Sequence, residues 1–262
     1  MSIVKELRCS YCGAPIQFKP GEIIATCRYC GYTVVIETWK AFTFEHSMLL
    51  NKYNPESVEE SARDWMRSGF LKPPDLAKKA RFIEKTLMYL PFWVVSAEAE
   101  STYKGVFESL NPPMVKEGKI SKKYSWLVLA IKASDFPTRE YDVPLEGKVP
   151  YDFRRIEEFA KVLNSEIDRE EAVEIAKQQI TEHHRFLAQQ DVDKIIEMKN
   201  EIKVNETVYL HAPVWLVKYE YKGKGYTLWL DGATGTVIKG EIPQTKIGLS
   251  NAWAVIGGWV RK

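Results

Sequence analysis

The chain has 262 residues, with 37 Lys and Arg against 35 Asp and Glu for a formal net charge of +2; 45% of it is hydrophobic and 27% charged. This composition excludes a disordered chain, a collagen-like repeat and a polytopic membrane protein. So small a net charge also excludes nucleic-acid binding by bulk electrostatics, so any polyanion contact must be local.

The first six residues, Met-Ser-Ile-Val-Lys-Glu, lack an apolar core and a small-residue cleavage site, and no signal peptide is expected. No stretch reaches the ~18 apolar residues of a membrane span. All four cysteines lie within the first 30 residues, which fits a reducing compartment and a cytoplasmic protein.

Those cysteines form the most specific motif. Cys9-Ser10-Tyr11-Cys12-Gly13 and Cys27-Arg28-Tyr29-Cys30-Gly31 are two copies of C-x-Y-C-G, with 14 residues between Cys12 and Cys27. Two C-x-x-C turns supply the four thiolates of a tetrahedral zinc site, and the glycine after each pair lets the turn wrap around the ion. The doubled spacing favours one Zn2+ over a disulfide pair. Four cysteine ligands leave no open position, so the metal is structural and not catalytic. Between the knuckles, residues 16–25 read as a hairpin with a Pro-Gly turn, and Tyr32 to Thr38 as a third strand. The motif resembles the zinc-ribbon family of the transcription factor B type. Tyr11 and Tyr29 occupy equivalent knuckle positions beside Arg28; they either shield the zinc or present an aromatic and basic tip to a nucleic acid or protein.

Trp39 to Glu45 reads as a linking strand. Asn54 caps a helix over residues 55–69, with Pro55 at its first position and Val58, Ala62, Trp65 and Met66 along its apolar stripe. Lys122 to Ala133 is long and apolar enough for a strand. A helix is expected from Arg154 to Leu163. Another spans Asp168 to Gln190, opened by Asp168 with Glu171 three residues on, with Val173, Ala176, Ile180 and Leu187 buried.

An internal repeat organises the rest. Residues 79–98 align without gaps on 201–220, an offset of 122, with Glu84/Glu206, Pro91/Pro213, Trp93/Trp215, Val95/Val217 and Glu98/Glu220 identical. Each copy follows a helix and reads as two strands with proline at the bend. Lys222-Gly223-Lys224-Gly225 and Asp231-Gly232-Ala233-Thr234-Gly235 then make turns, Asp231 as an Asx-turn residue. The stretches Pro213-Val214-Trp215-Leu216-Val217, Tyr221-Lys222-Gly223-Lys224, Asp231 to Gly235 and Gly240-Glu241-Ile242-Pro243 resemble an uncharacterised archaeal and bacterial family. That family joins a zinc ribbon to such a module, and several of its members continue into hydrophobic or membrane segments. The resemblance implies an architecture, not an activity.

The expected fold is therefore α+β: a zinc ribbon (1–38), a first helix-and-strand repeat with a β insertion (39–150), a second repeat (151–250) and an apolar C-terminal segment (251–262). Trp93 and Trp215 are read as core. Glu98 and Glu220 are solvated strand residues, unless they meet across a pseudo-dyad. His183-His184 point about 100° apart on a helix, which suits a partly exposed face and not a metal clamp.

Residues 151–205 carry 9 basic and 13 acidic side chains, and residues 206–262 carry 7 and 4. Lys122 and Lys123, followed by Tyr124 and Trp126, and Lys218, Lys222 and Lys224 beside Tyr219 and Tyr221 interleave charge with aromatics, as RNA-binding surfaces do. Trp253 and Trp259 give the C-terminal segment a face that docks on its own domain, a partner or a membrane surface. No Walker loop, G-x-G-x-x-G, H-E-x-x-H or G-x-S-x-G text is present, so neither an enzyme nor a small-molecule substrate is expected. The reading is a zinc protein that associates with a ribosome, RNA, DNA or a protein complex such as the transcription machinery. The alternatives are a membrane-proximal scaffold or adaptor using residues 251–262 and, after it, a small-ligand module or enzyme using a pocket between the repeats.

Overall fold

A computed structural model describes residues 5–18, 22–36, 45–69, 71–109, 112–132 and 134–243. The expected linking strand, Trp253 and Trp259 therefore lie outside the described residues, apart from Glu45. In chain order the ribbon holds β1 (Lys5–Arg8), β2 (Pro15–Phe18), β3 (Ile24–Thr26) and β4 (Thr33–Val35). There follow β5 (His46–Met48), α1 (Pro55–Arg67), α2 (Leu76–Lys79), β6 (Arg81–Phe107), β7 (Met114–Leu129), β8 (Val149–Pro150) and β9 (Lys161–Val162). α3 (Arg169–Gln189), β10 (Lys194–Tyr221), β11 (Lys224–Asp231) and β12 (Val237–Gly240) complete the chain.

One mixed sheet dominates. β6 and β10 pair antiparallel along nearly their whole lengths. β7 flanks β6, and β11 and then β12 flank β10. Tyr89 to Val95 and Thr207 to Trp215 are buried without a break. That explains their continuous apolar text: a strand covered on both faces has no solvent side to alternate with. On one face α1 and α2 cover Leu87, Trp215 and Val217, while α3 covers Trp93, Val95, Ala97 and Ala99. On the other, Leu90, Phe92, Val94, Leu210, Ala212 and Val214 pack against Leu49, Phe136 and Tyr141. Trp93 and Trp215 are both fully buried.

The two repeat segments run as unbroken strands, not as strand pairs bent at proline. Each proline sits where its strand changes partner. β9 lies parallel to β6 at Met88 and Tyr89, and β7 takes over at Phe92, one residue past Pro91. β5 lies parallel to β10 from Tyr209 to His211, and β11 takes over at Val214, one residue past Pro213. A residue without an N–H fits such a handover. The Ala130 carbonyl opposite Pro91 accepts from the Glu166 N–H at 2.8 Å instead. Leu90 pairs with Ala212, its own equivalent at the offset of 122, so the ladder is centred on the repeat.

α1 has its expected cap: Asn54 Oδ1 accepts the Ser57 N–H at 2.8 Å, and Ser57 Oγ accepts the Asn54 N–H at 2.9 Å. α3 opens with Asp168 accepting the Glu171 N–H at 2.7 Å. Its buried stripe is Ala172, Ala176, Ile180, His184 and Ala188, with Val173 and Leu187 half-buried. His184 is thus not on an exposed face. Ser101 Oγ donates to Asn200 Oδ1 at 2.7 Å and so accepts from His184 Nδ1 at 2.6 Å, while Tyr124 donates to Nε2 at 2.9 Å.

The expected helix from Arg154 to Leu163 is absent. A 3-10 turn at Phe153–Arg155 leads instead to β9, and Leu163 N–H donates to the Tyr89 carbonyl at 3.1 Å. A ten-residue helix is marginal by itself, and sheet pairing outcompetes it. Glu98 and Glu220 do not meet: Lys123 holds the first at 2.9 Å and Arg81 the second at 2.8 Å.

Trp215 tests this core, because its indole is buried while its N–H donates to Asn51 Oδ1 at 3.0 Å. Trp215→Ala is expected to lower the unfolding free energy by about 3–5 kcal/mol in denaturant titration. Ile83→Ala, at an exposed position, is expected to stay within about 0.5 kcal/mol of wild type.

Candidate metal centre

Each knuckle closes the turn of its own hairpin: β1 pairs with β2 across Cys9–Cys12, and β3 with β4 across Cys27–Cys30. The Pro-Gly turn of the hairpin expected over residues 16–25 lies outside the described residues, and among the described ones β2 and β3 do not pair but belong to different two-stranded sheets. The knuckle bonds, not alternation, set the pairing. Cys9 N–H donates to Ala14 O at 2.7 Å and Gly13 N–H to Cys9 O at 2.8 Å; Cys27 N–H to Tyr32 O at 2.8 Å and Gly31 N–H to Cys27 O at 2.9 Å repeat the pattern. Gly13 and Gly31 have φ of 73° and 75°, where a side chain would be strained.

All four Sγ atoms lie within 4.8 Å of one another. Cys9 to Cys30 is 3.6 Å and Cys12 to Cys27 is 3.7 Å. Four sulfurs about 2.3 Å from a central ion stand roughly 3.8 Å apart, so the group fits a tetrahedral metal. Burial raises the Cys27 thiol, and burial with the neighbouring sulfurs pushes Cys30 up to about 12. At Cys9 burial opposes ionisation, but the backbone N–H groups of Cys12 and Tyr11 win and lower it to about 7. Thiolates this close need a cation to ionise together, and zinc is the plausible one.

The second hairpin is tied to the large sheet. Ile23 and Ile24 N–H both donate to Ser165 O, and Asn164 Nδ2 donates to Glu22 Oε2 at 3.0 Å. Ile24 is buried with Trp93, Ile167 and Ala176. Beneath the hairpin runs a buried polar chain. His211 Nε2–H donates to Leu163 O at 3.0 Å, so His211 Nδ1 accepts from His46 Nε2–H at 2.9 Å. His46 Nδ1 then accepts from the Thr33 hydroxyl at 3.2 Å. One direction of donation, through two neutral imidazoles, thus links the ribbon to β10. Burial lowers His211 to about 4; burial and the His211 charge hold His46 well below its usual value.

The knuckle tips face outward, with Tyr11 76% and Tyr29 67% exposed. Tyr11 stacks on Tyr32 with ring centroids 5.8 Å apart. A cavity of about 590 Å³ beside the second knuckle is lined by Cys30, Gly31, Tyr151, Asp152, Arg154 and Arg155. Arg154 is paired with Asp152 at 2.9 Å, while Arg155 has no ion pair among the described residues. Arg154 and Arg155 were missed from sequence because β8 pairing with β5 brings them there, which local spacing does not encode.

The candidate lysines are not brought together. Lys122 and Lys123 pair with the Ala99 and Glu98 region of β6, and Lys218 with Glu84. Those positions lie 14 residues apart along β6, roughly 46 Å at 3.3 Å per residue. Lys123 is neutralised by Glu98 and Lys218 by Glu84, each at 2.9 Å. Lys222 and Lys224 flank a tight turn in which Lys222 and Gly223 both have positive φ, and Lys222 lies over the Tyr221 ring. Asp231 forms the expected Asx turn, accepting from Ala233 N–H and the Thr234 hydroxyl, both at 2.8 Å.

The chain is 25% identical over 233 aligned residues to the uncharacterised protein YdjG of Bacillus subtilis (strain 168). The match covers 78% of this chain and 65% of that relative's length. No family profile and no solved structure matches the chain. No helix among the described residues is long and apolar enough to cross a membrane.

Elemental analysis of the purified protein is expected to find one zinc per chain, lost in Cys12→Ser. Chelation should expose the amides of residues 8–36 to hydrogen exchange and leave β6 and β10 protected. The buried histidines set a pH dependence with a definite sign. Their folded pKa values lie below the unfolded 6.5, so the unfolded chain binds protons first as the pH falls. Stability is then flat above about pH 6.5 and declines toward pH 4, by about 3 kcal/mol from His211. Denaturant titrations across that range should show the slope, reduced in His211→Gln.

Proposed function

We propose that this protein is a non-enzymatic, cytoplasmic zinc-ribbon protein that associates with a large RNA-bearing assembly of the ribosome or transcription type. The observation that carries the reading is the outward tip of the second knuckle. Tyr29 offers an open ring, Arg28 next to it in the chain is exposed, and Arg155, without an ion pair among the described residues, lines the cavity that Cys30 and Gly31 border. Aromatic stacking with two cations suits an unpaired base and its flanking phosphates.

A duplicated origin of the helix-and-strand module belongs to the same proposal. Support comes from the equivalent handovers at Pro91 and Pro213 and from Leu90 pairing with Ala212. Committing all four thiols to a metal supports a scaffold over a catalyst.

Fluorescence anisotropy of the zinc-loaded protein with a labelled single-stranded RNA tests the reading. Low-salt binding is expected to weaken about 5- to 100-fold in Tyr29→Ala, by the loss of one stacked base. Arg155→Ala should reduce the salt slope by about 0.7. Absence of RNA binding at low salt, with no cosedimentation with ribosomes, would overturn it.

A further inference from the structure

The large sheet ends in an open edge. Among the described residues the only strand that β7 pairs with is β6. Lys116, Lys119, Lys122 and Lys123 line the strand up to residue 123, and lysine on an exposed edge discourages foreign strands. From Tyr124 to Leu129 the text is Tyr-Ser-Trp-Leu-Val-Leu, without a charge. The protection stops where a recess begins.

Which backbone groups face that recess follows from one bond. Ala130 N–H donates to Pro91 O at 2.9 Å, and the β6–β7 ladder has no register shift. Antiparallel alternation then turns the N–H and C=O groups of Tyr124, Trp126 and Val128 toward β6, and those of Ser125, Leu127 and Leu129 outward. No described residue bonds to these outward groups.

A cavity of about 1100 Å³ runs along the edge from Ser125 to Ile131. α3 makes one wall, with Gln179, Glu182 and Phe186; the segment 134–141 makes the other, with Phe136 and Arg139. Phe186 is 56% exposed, and Trp126 is fixed by its N–H to Gln179 Oε1 at 2.7 Å. The wall charges are mostly spent: Glu171 pairs with Lys132 at 3.1 Å and Glu140 with Lys239 at 3.0 Å. Glu182 and Arg139 have no ion pair among the described residues.

We propose that this recess is a strand-addition site for one extended peptide segment of a partner protein. The segment spans roughly seven residues, is apolar at alternate positions, and carries Lys or Arg at the end that meets Glu182. Main-chain bonds to Ser125, Leu127 and Leu129 supply affinity, and Phe186, Trp126 and Phe136 select the side chains. The proposal goes beyond the RNA reading and stands on a different face.

The test pans a random heptapeptide display library on the full, zinc-loaded chain, then measures the selected peptide by anisotropy and hydrogen exchange. Expected are alternating apolar sequences with a basic end, new protection over residues 124–131, and equal affinity for Ser125→Ala. Ser125→Pro removes one outward N–H without touching the β6 ladder and should weaken binding at least tenfold. Glu182→Lys, a surface change that decides the matter if Ser125→Pro fails to fold, should also weaken it at least tenfold and shift selection toward acidic ends. Peptides that protect another surface, or that bind Ser125→Pro and Glu182→Lys as well as wild type, overturn the proposal. So does a wild-type dimer dissociated by Ser125→Pro, or a chain ended at Pro243 whose 124–131 amides lose protection. Those two outcomes would name a second copy or the chain's own tail as the occupant.

Discussion

Everything described in this molecule hangs on the antiparallel ladder between β6 and β10. Two strands of 27 and 28 residues pair through their middles while buried on both faces. An unpaired peptide group there would carry the full penalty of a buried, unmade hydrogen bond, and register is held without a shift from Glu206 opposite Ser96 to Lys218 opposite Glu84; the three shifts lie outside that middle. The ladder also organises its surroundings through two indoles. Trp93 donates to Ile167 O at 3.2 Å and so fixes the entry to α3; Trp215 donates to Asn51 and fixes the approach to α1. A fully buried tryptophan needs such a partner, and here the partner in each case is a connecting segment. The helices therefore sit where the ladder's tryptophans allow.

How much of this was legible in the sequence depends on how local the cause is. The caps of α1 and α3 are local, so Asn54 and Asp168 announced both helices. The four-cysteine group is local too, because each C-x-x-C pair acts within one turn. The error at Pro91 and Pro213 came from reading proline as a strand break. The missing N–H matters only if a neighbour requires it, and which neighbour is present depends on β5, β7, β9 and β11, distant in sequence. The same holds for residues 153–163, where an edge of β6 offered better bonds than a short helix could form for itself. His184 was misplaced for another reason: Ser101 and Tyr124, which bond its ring, and Asn200, which accepts from Ser101, come from three different strands. A pattern of apolar residues cannot reveal a polar side chain with buried partners.

The ribbon shows how a small unit borrows stability. Its own apolar cluster is Cys9, Ile16, Ala25, Cys27 and Val34, too little to hold two short hairpins. A metal bound by four thiolates supplies folding free energy directly. The rest comes from docking, where Ile24 enters the main core and Thr33 donates to His46. The dependence runs both ways. Thr33→Val removes the hydroxyl that donates to His46 Nδ1 at 3.2 Å and with it one bond between the hairpin and β5. The four-cysteine hairpins and the centre of the sheet are thereby joined through neutral imidazoles, which neither part would suggest alone.

Charge is distributed by the same logic. The lysines of β7 and β10 looked like a basic surface in sequence, yet the register sets glutamates beside them: Glu98 against Lys123, Glu100 against Lys119, Glu84 against Lys218. Such exposed pairs add little stability, typically about 0.2–1 kcal/mol each. Their larger effect is to cancel the long-range field of the sheet, which removes any reason for a polyanion to settle along it. Charge left uncancelled then carries more meaning than charge counted. Two of the places where it falls differ in character: Arg155 near the second cysteine knuckle, with its exposed aromatic, and Glu182 with Arg139 beside an open strand edge. The first suits an anionic partner with stacking faces. The second suits a peptide backbone with a basic end. A chain with a net charge of +2 can therefore present two distinct recognition surfaces, because the ladder that builds the fold also neutralises the charge between them.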